Sequence, residues 1–83
     1  MDNEFWINVE LLSFGGNIEL MVVPGKKHFE VYLDERELCK AFKDKDENWE
    51  DLSGNLDWYT VEIIGNAISL YYLEQDTFYR KAG

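Results

Sequence analysis

The chain has 83 residues, 46% of them apolar and 16% aromatic, and a net charge of −9. That length allows one domain with a thin core and excludes two, and that apolar content weighs against a disordered chain. The acidic balance argues against direct nucleic acid binding, which needs clustered Lys and Arg, and favours a basic partner.

Cys39 is the one cysteine. It has no internal disulfide partner, which points to a reducing compartment. No run reaches the roughly 18 apolar residues of a membrane span. The opening "MDNEFWINVE" is acidic and alternating, whereas a signal peptide begins basic and turns apolar. A cytoplasmic protein with no membrane partner is the expectation.

From the first residues onward, Phe5, Ile7, Val9 and Leu11 alternate with Trp6, Asn8 and Glu10. Period two predicts a strand over about 4–13 with one wet face. Gly15-Gly16 suits a two-residue hairpin turn. The next run, about 17–23, alternates Ile18, Leu20 and Val22 with Glu19 and Met21. Pairing Phe14 with Asn17 sets Leu11 opposite Leu20 and Val9 opposite Val22, so the apolar sets share a face. After the Pro24-Gly25 turn signal, Phe29, Val31 and Leu33 mark a third strand, about 28–33. Pairing Val23 with His28 sets Val22 opposite Phe29 and Leu20 opposite Val31.

The segment "LDERELCKAFK" supports two readings. Asp34 with Glu37 resembles a capping box, and Leu33 with Leu38 a hydrophobic staple, for a short helix over 35–43. A tight turn at Asp34-Glu35-Arg36 gives instead a fourth strand, about 37–43. The stretch from Leu56 to Asp76 is also two-sided. As a hairpin about Gly65-Asn66, Tyr59, Val61 and Ile63 pair with Tyr72, Leu70 and Ile68. As a helix over about 57–73, Trp58, Val61, Ile64, Gly65, Ile68, Tyr71 and Tyr72 form one stripe, with Thr60, Glu62, Asn66 and Ser69 opposite. Tyr, Thr, Val and Ile favour strand, and Gly65 costs a helix about 1 kcal/mol against Ala. A half-apolar sheet nevertheless needs something to cover it.

The stretch "ENWEDLSGNLDWYTVEIIGNAISLYY", through Trp49, Gly54, Asn55, Leu56, Ile64, Gly65, Asn66, Ala67 and Ile68, resembles the ends of certain small uncharacterised bacterial α+β proteins. The resemblance covers about a third of the chain. It implies a fold and no activity: a β-meander, a Trp, a Gly-x-Leu turn and a helix carrying Ile-Gly-x-Ala-Ile. It favours an α+β fold, an antiparallel meander of three to four strands packed by one C-terminal helix. In that arrangement Gly65 lets the helix lie close on the sheet.

Residues 43–55, "KDKDENWEDLSGN", carry five carboxylates. Asp44, Asp46, Asn48 and Glu50 stand at positions 1, 3, 5 and 7 of a calcium loop. The Gly at position 6 and the Glu at position 12 are replaced by Trp49 and Asn55, so no metal is assigned. One Cys and one His make no zinc set. Cys39 and His28 have no orienting partner in the pattern, and no Gly-rich phosphate loop precedes a helix, so neither an enzyme nor a cofactor is expected.

A partner surface remains. Trp6, Phe14, Met21 and Val23 are placed on the meander face opposite the core, with the "TFYRKAG" tail as an alternative cover. Asp44, Asp46, Glu47, Trp49, Glu50 and Asp51 form a second candidate, in which Trp49 is either an anchor or a core plug. Residues 44–62 hold seven carboxylates against Lys45, a balance of −6. The leading expectation is a noncatalytic module that binds a protein partner or itself as a homodimer. The alternative is an acidic inhibitor, immunity-type or imitating nucleic acid, that neutralises a basic partner.

Overall fold

The alternating runs become strands in the computed structural model, which describes residues 3–82 and the side chains of residues 3–75. The elements are β1 (Phe5–Leu11), a 3-10 turn (Leu12–Phe14), β2 (Gly16–Pro24), β3 (Phe29–Leu33), β4 (Arg36–Lys43), β5 (Trp49–Asp51) and α1 (Trp58–Ala82). The five strands form one antiparallel sheet in sequence order, and α1 packs on one face. The helix meets β1 and β5, the two edge strands, so the sheet curls about it as a half-barrel.

The period-two pattern decides which face is covered. Phe5, Ile7, Val9 and Leu11 are buried and the residues between them are exposed. Ile7 retains 4% of its exposure, and Leu20 and Val31 none. Val22, Cys39, Ala41 and Trp49 join them, and α1 contributes Val61, Ile64 and Ile68. The segment read two ways as helix or hairpin is therefore a helix, longer than expected. Its apolar spacing of three and four supplies the cover that the sheet requires, and this outweighs β propensity.

The start of α1 follows from Asp57. Its carbonyl accepts the Val61 N–H at 3.1 Å, and its carboxylate accepts the Thr60 hydroxyl. That hydrogen bond holds the Asp57 carboxyl below its ordinary value, as at an N-cap. Three residues of the helix depart from expectation, among them Tyr72, placed in the buried stripe and 44% exposed. Thr60, placed on the wet side, is buried because it turns back onto this cap, whereas Trp58, placed on the buried side, is 72% exposed.

Both hairpin registers differ from the sequence reading by an even number. β1 pairs Leu11 with Gly16, Val9 with Ile18 and Phe5 with Val22, four residues from the expected register. The cause is the turn: Leu12, Ser13 and Phe14 leave the strand as a 3-10 turn that Gly15 closes at φ 95. Left-handed backbone is cheap only for glycine, and Gly16 follows at φ 110. β2 pairs Val22 with Val31 and Pro24 with Phe29, a shift of two, because the loop 25–28 is closed by the Gly25 N–H donating to the His28 carbonyl at 2.8 Å. Even shifts preserve the facing of every side chain, so the core survives both.

β4 is a strand and not the alternative short helix. Asp34 at φ 58 and Glu35 form a two-residue turn between the paired Leu33 and Arg36. The register slips by one residue opposite Val31 and Tyr32, leaving Leu38 as an extra residue in β4. This bulge turns the consecutive Leu38 and Cys39 both inward. β5 was not expected at all; its three residues are too few to show alternation, and they pair Lys43 with Trp49, Phe42 with Glu50 and Ala41 with Asp51.

At Gly65 the helix lies close on the sheet. A Cβ at this position would lie 2.1 Å from the Trp49 indole. Gly65→Ala therefore loses stability although Ala gains about 1 kcal/mol as a helix former, because overpacking costs about 1–3 kcal/mol or more. Urea denaturation of Gly65→Ala, Trp49→Leu and the double variant measures this. The expected cycle shows the Gly65→Ala loss largely absent once the indole is gone; a stabilised Gly65→Ala would contradict the close approach.

Candidate functional site

The outer sheet face, away from α1, carries one side chain from each of β1 to β4 in a row. Trp6 stands opposite Met21, Met21 opposite Tyr32, and Tyr32 opposite Glu37. Trp6 is 52% exposed, and Met21 and Tyr32 are partly covered. Val23 flanks the row opposite Glu30, which stands opposite Lys40. The Tyr32 hydroxyl donates to Glu30 at 2.9 Å, and the Lys40 ammonium donates to Glu37 at 2.8 Å. Each bond favours the protonated partner, so both the Tyr32 and Lys40 pKa values are raised. An apolar row of Trp, Met and Tyr thus lies beside a hydrogen-bonded polar pair.

Phe14 does not belong to this row. Its 3-10 turn carries it off the strand, and its side chain packs partly buried against the core. Tyr32 takes part instead. It escaped the sequence reading because the expected register set Met21 opposite Glu30; the two-residue shift brings Tyr32 alongside. The tail proposed as a cover, residues 77–83, lies outside the described side chains.

The acidic segment separates into three kinds of residue. Trp49 is 9% exposed and belongs to the core, so the plug reading holds. Asp44 Oδ1 accepts the backbone N–H groups of Asp46 and Asn48, both at 2.9 Å, and so shapes the turn in which Glu47 adopts φ 67. Asp51 accepts five hydrogen bonds: from the N–H groups of Lys40, Ser53, Asn55 and Leu56, and from the Ser53 hydroxyl. It ties β4 to the loop that leads into α1. Only Asp46, Glu47 and Glu50 present carboxylates that are exposed and engaged in none of these bonds. Among the described residues, no three His, Cys, Asp or Glu side chains converge as a metal site would need.

Cys39 is fully buried, opposite Val31. Burial, assisted by the Asp51 and Glu37 charges, pushes its thiol up to about 12. His28 lies in the β2–β3 loop, with Nε2 4.0 Å from a Glu30 carboxylate oxygen. The two side chains are therefore on different sides of the sheet architecture, one in the core and one at a loop. No described helix is long and apolar enough to cross a membrane. Comparison of the chain with protein-family models, with curated proteins and with solved structures finds no match.

Asp51 and Cys39 give opposite pH signatures. Desolvation alone would raise the Asp51 carboxyl, but the bonds from Ser53, Lys40 and Leu56 prevail and hold it below its ordinary value of 3.8. A depressed carboxyl contributes stability that is present above that ordinary value and is lost as pH falls through the lower folded value. Asp51→Asn should lose about 2 kcal/mol at neutral pH and show a flatter acid limb in urea melts across that range. Asp46→Asn with Glu47→Gln and Glu50→Gln should shift stability by about 0.5 kcal/mol or less. Equal losses in the two variants would refute the division of the acidic segment.

For Cys39, the folded thiol keeps its proton while the unfolded thiol loses it above its ordinary value of 9.0. Stability is therefore complete below 9.0 and declines as pH rises toward 12. In native protein at mildly alkaline pH, a thiol-disulfide reagent should label Cys39 only at the rate of opening, and at once in urea. Immediate native labelling would place the thiol at the surface.

Proposed function

We propose that this chain is a noncatalytic interaction module that pairs with a second copy of itself through the outer sheet face. The observation that supports the reading is the half-exposed Trp6 in one row with Met21 and Tyr32. Trp, Tyr and Met are the residue types enriched at interface centres, and a rim of satisfied polar groups such as Glu30 and Lys40 suits an interface edge. A two-fold pairing needs only that this patch be complementary to itself. A cytoplasmic setting belongs to the same proposal, since the one thiol, Cys39, is free.

The alternative is an acidic antagonist of a basic protein, with no direct nucleic acid binding. The exposed Asp46, Glu47 and Glu50 favour it. Salt separates the two readings. Two copies each carrying −9 repel, so screening should strengthen self-association. Attraction to a basic partner should weaken under the same change.

Light scattering and sedimentation across protein concentration, at low and high salt, test the proposal. The expected result is a mass that rises toward the dimer with concentration, more readily at high salt. Trp6→Lys should hold the chain monomeric with its thermal midpoint nearly unchanged, because the side chain is already half exposed. A monomer at every soluble concentration, or a dimer indifferent to Trp6→Lys, would remove the reading.

A further inference from the structure

The β2–β3 loop, the end of β4 and the middle of α1 meet around a groove of about 480 Å³. Phe29, Trp49, Tyr72 and Leu73 contribute its apolar lining. The aromatic rings are mutually braced: Phe29 lies 6.1 Å from Trp49 and 6.0 Å from Tyr72, centroid to centroid. Trp49 is held from behind by its fit against Gly65, so this part of the lining is set by the core. Tyr72 and Leu73 remain 44% and 60% exposed, which leaves the groove open to solvent.

Among the described residues, the charge lining this groove runs against that of the whole chain. Lys27 enters from the β2–β3 loop and Lys43 from the end of β4, two elements distant in sequence. Among the described lining residues there is no carboxylate, although carboxylates outnumber basic residues 17 to 8 over the chain. Lys43 Nζ stands 5.6 Å from the centroid of the Trp49 ring, a cation–π distance that keeps the ammonium beside the apolar lining. An apolar recess of a few hundred Å³ with a small number of charged groups is the usual form of a small-ligand site.

We propose that this groove binds a small amphipathic anion, an alkyl carboxylate of medium length whose chain lies along Trp49, Tyr72 and Leu73 and whose carboxylate meets Lys27 and Lys43. The apolar lining selects the chain and the two lysines select the headgroup. A neutral alkyl ligand forfeits the second interaction, and a cationic one is repelled. The groove is separate from the outer-face row, so it can be occupied whether or not two copies pair.

The test is titration of the full chain with hexanoate, octanoate and decanoate below their micellar concentrations, followed by amide chemical shifts. Saturable shifts are expected at Lys43, Ser69 and Leu73, with affinity rising about fourfold per added methylene until the groove is filled. Decanol should bind more weakly than decanoate, and decyltrimethylammonium more weakly again. Lys27→Gln and Lys43→Gln should each weaken decanoate about two- to fivefold while leaving decanol unchanged. Lys45→Gln, outside the groove, should change neither, and all three variants should keep the wild-type urea midpoint. Equal affinity for decanoate and decanol, lysine variants that bind as wild type, or shifts that never saturate would each overturn the proposal.

Discussion

The seat of the Trp49 indole against Gly65 is the constraint on which the rest of the molecule depends. A three-residue strand has too few ladder bonds to hold an edge by itself, yet β5 closes the sheet on that side. It does so because its one large side chain is sandwiched between sheet and helix at a point where the helix has no Cβ. At the other edge the equivalent role falls to Phe5, whose ring stacks on Tyr71 at 3.9 Å with the planes nearly parallel. The helix is thus clamped to both edge strands by aromatic contacts, and the sheet between them curls to follow. Aromatic groups carry large buried area per residue, which matters in a domain small enough to have only one core layer.

Polar chemistry completes what the aromatic contacts begin. Asp51 sits at the end of β5, where the chain must leave the sheet, cross to the helix face and start α1 within a few residues. Of the backbone N–H groups of that crossing, those of Leu52 and Gly54 find backbone carbonyls, and the Asp51 carboxylate takes Ser53, Asn55 and Leu56 together with Lys40 on β4. Asp44 performs a smaller version of the same task one turn earlier. Much of the acidity that looks like a docking surface in the sequence is therefore structural. Negative charge is used where unpaired donors collect, and the chain retains only part of it for solvent or partners.

Among the described residues, two surfaces combine exposure with apolar side chains from several elements. One is the Trp6, Met21 and Tyr32 row, apolar by residue type but bordered by a satisfied polar network. The other is the groove of Trp49, Tyr72 and Leu73, in which two lysines gather in an otherwise acidic chain. They lie on different faces and differ in chemistry, so a flat partner suits the first and a slender anionic ligand the second. The groove also shares its indole with the core, which links the groove's wall to the clamp that holds β5.

By itself the sequence determined the facing of nearly every side chain in β1, β2 and β3. Alternation has period two, and any even slip leaves it intact; for this reason Leu20, Val22 and Val31 are buried although both hairpin registers lie elsewhere than the turns suggested. The sequence likewise marked Gly65 as the place where helix and sheet approach. Tertiary structure alone decided the rest. It settled the helix that the resemblance favoured over the hairpin and extended it to residue 82, because the requirement to cover the sheet is nonlocal, and it created β5, whose three residues carry no local signal. It placed Tyr32 beside Met21 and removed Phe14 from their face, since a cross-strand neighbour depends on turn geometry and not on alternation. It also brought Lys27 and Lys43 to one groove from distant segments, a proximity that only the closed sheet produces.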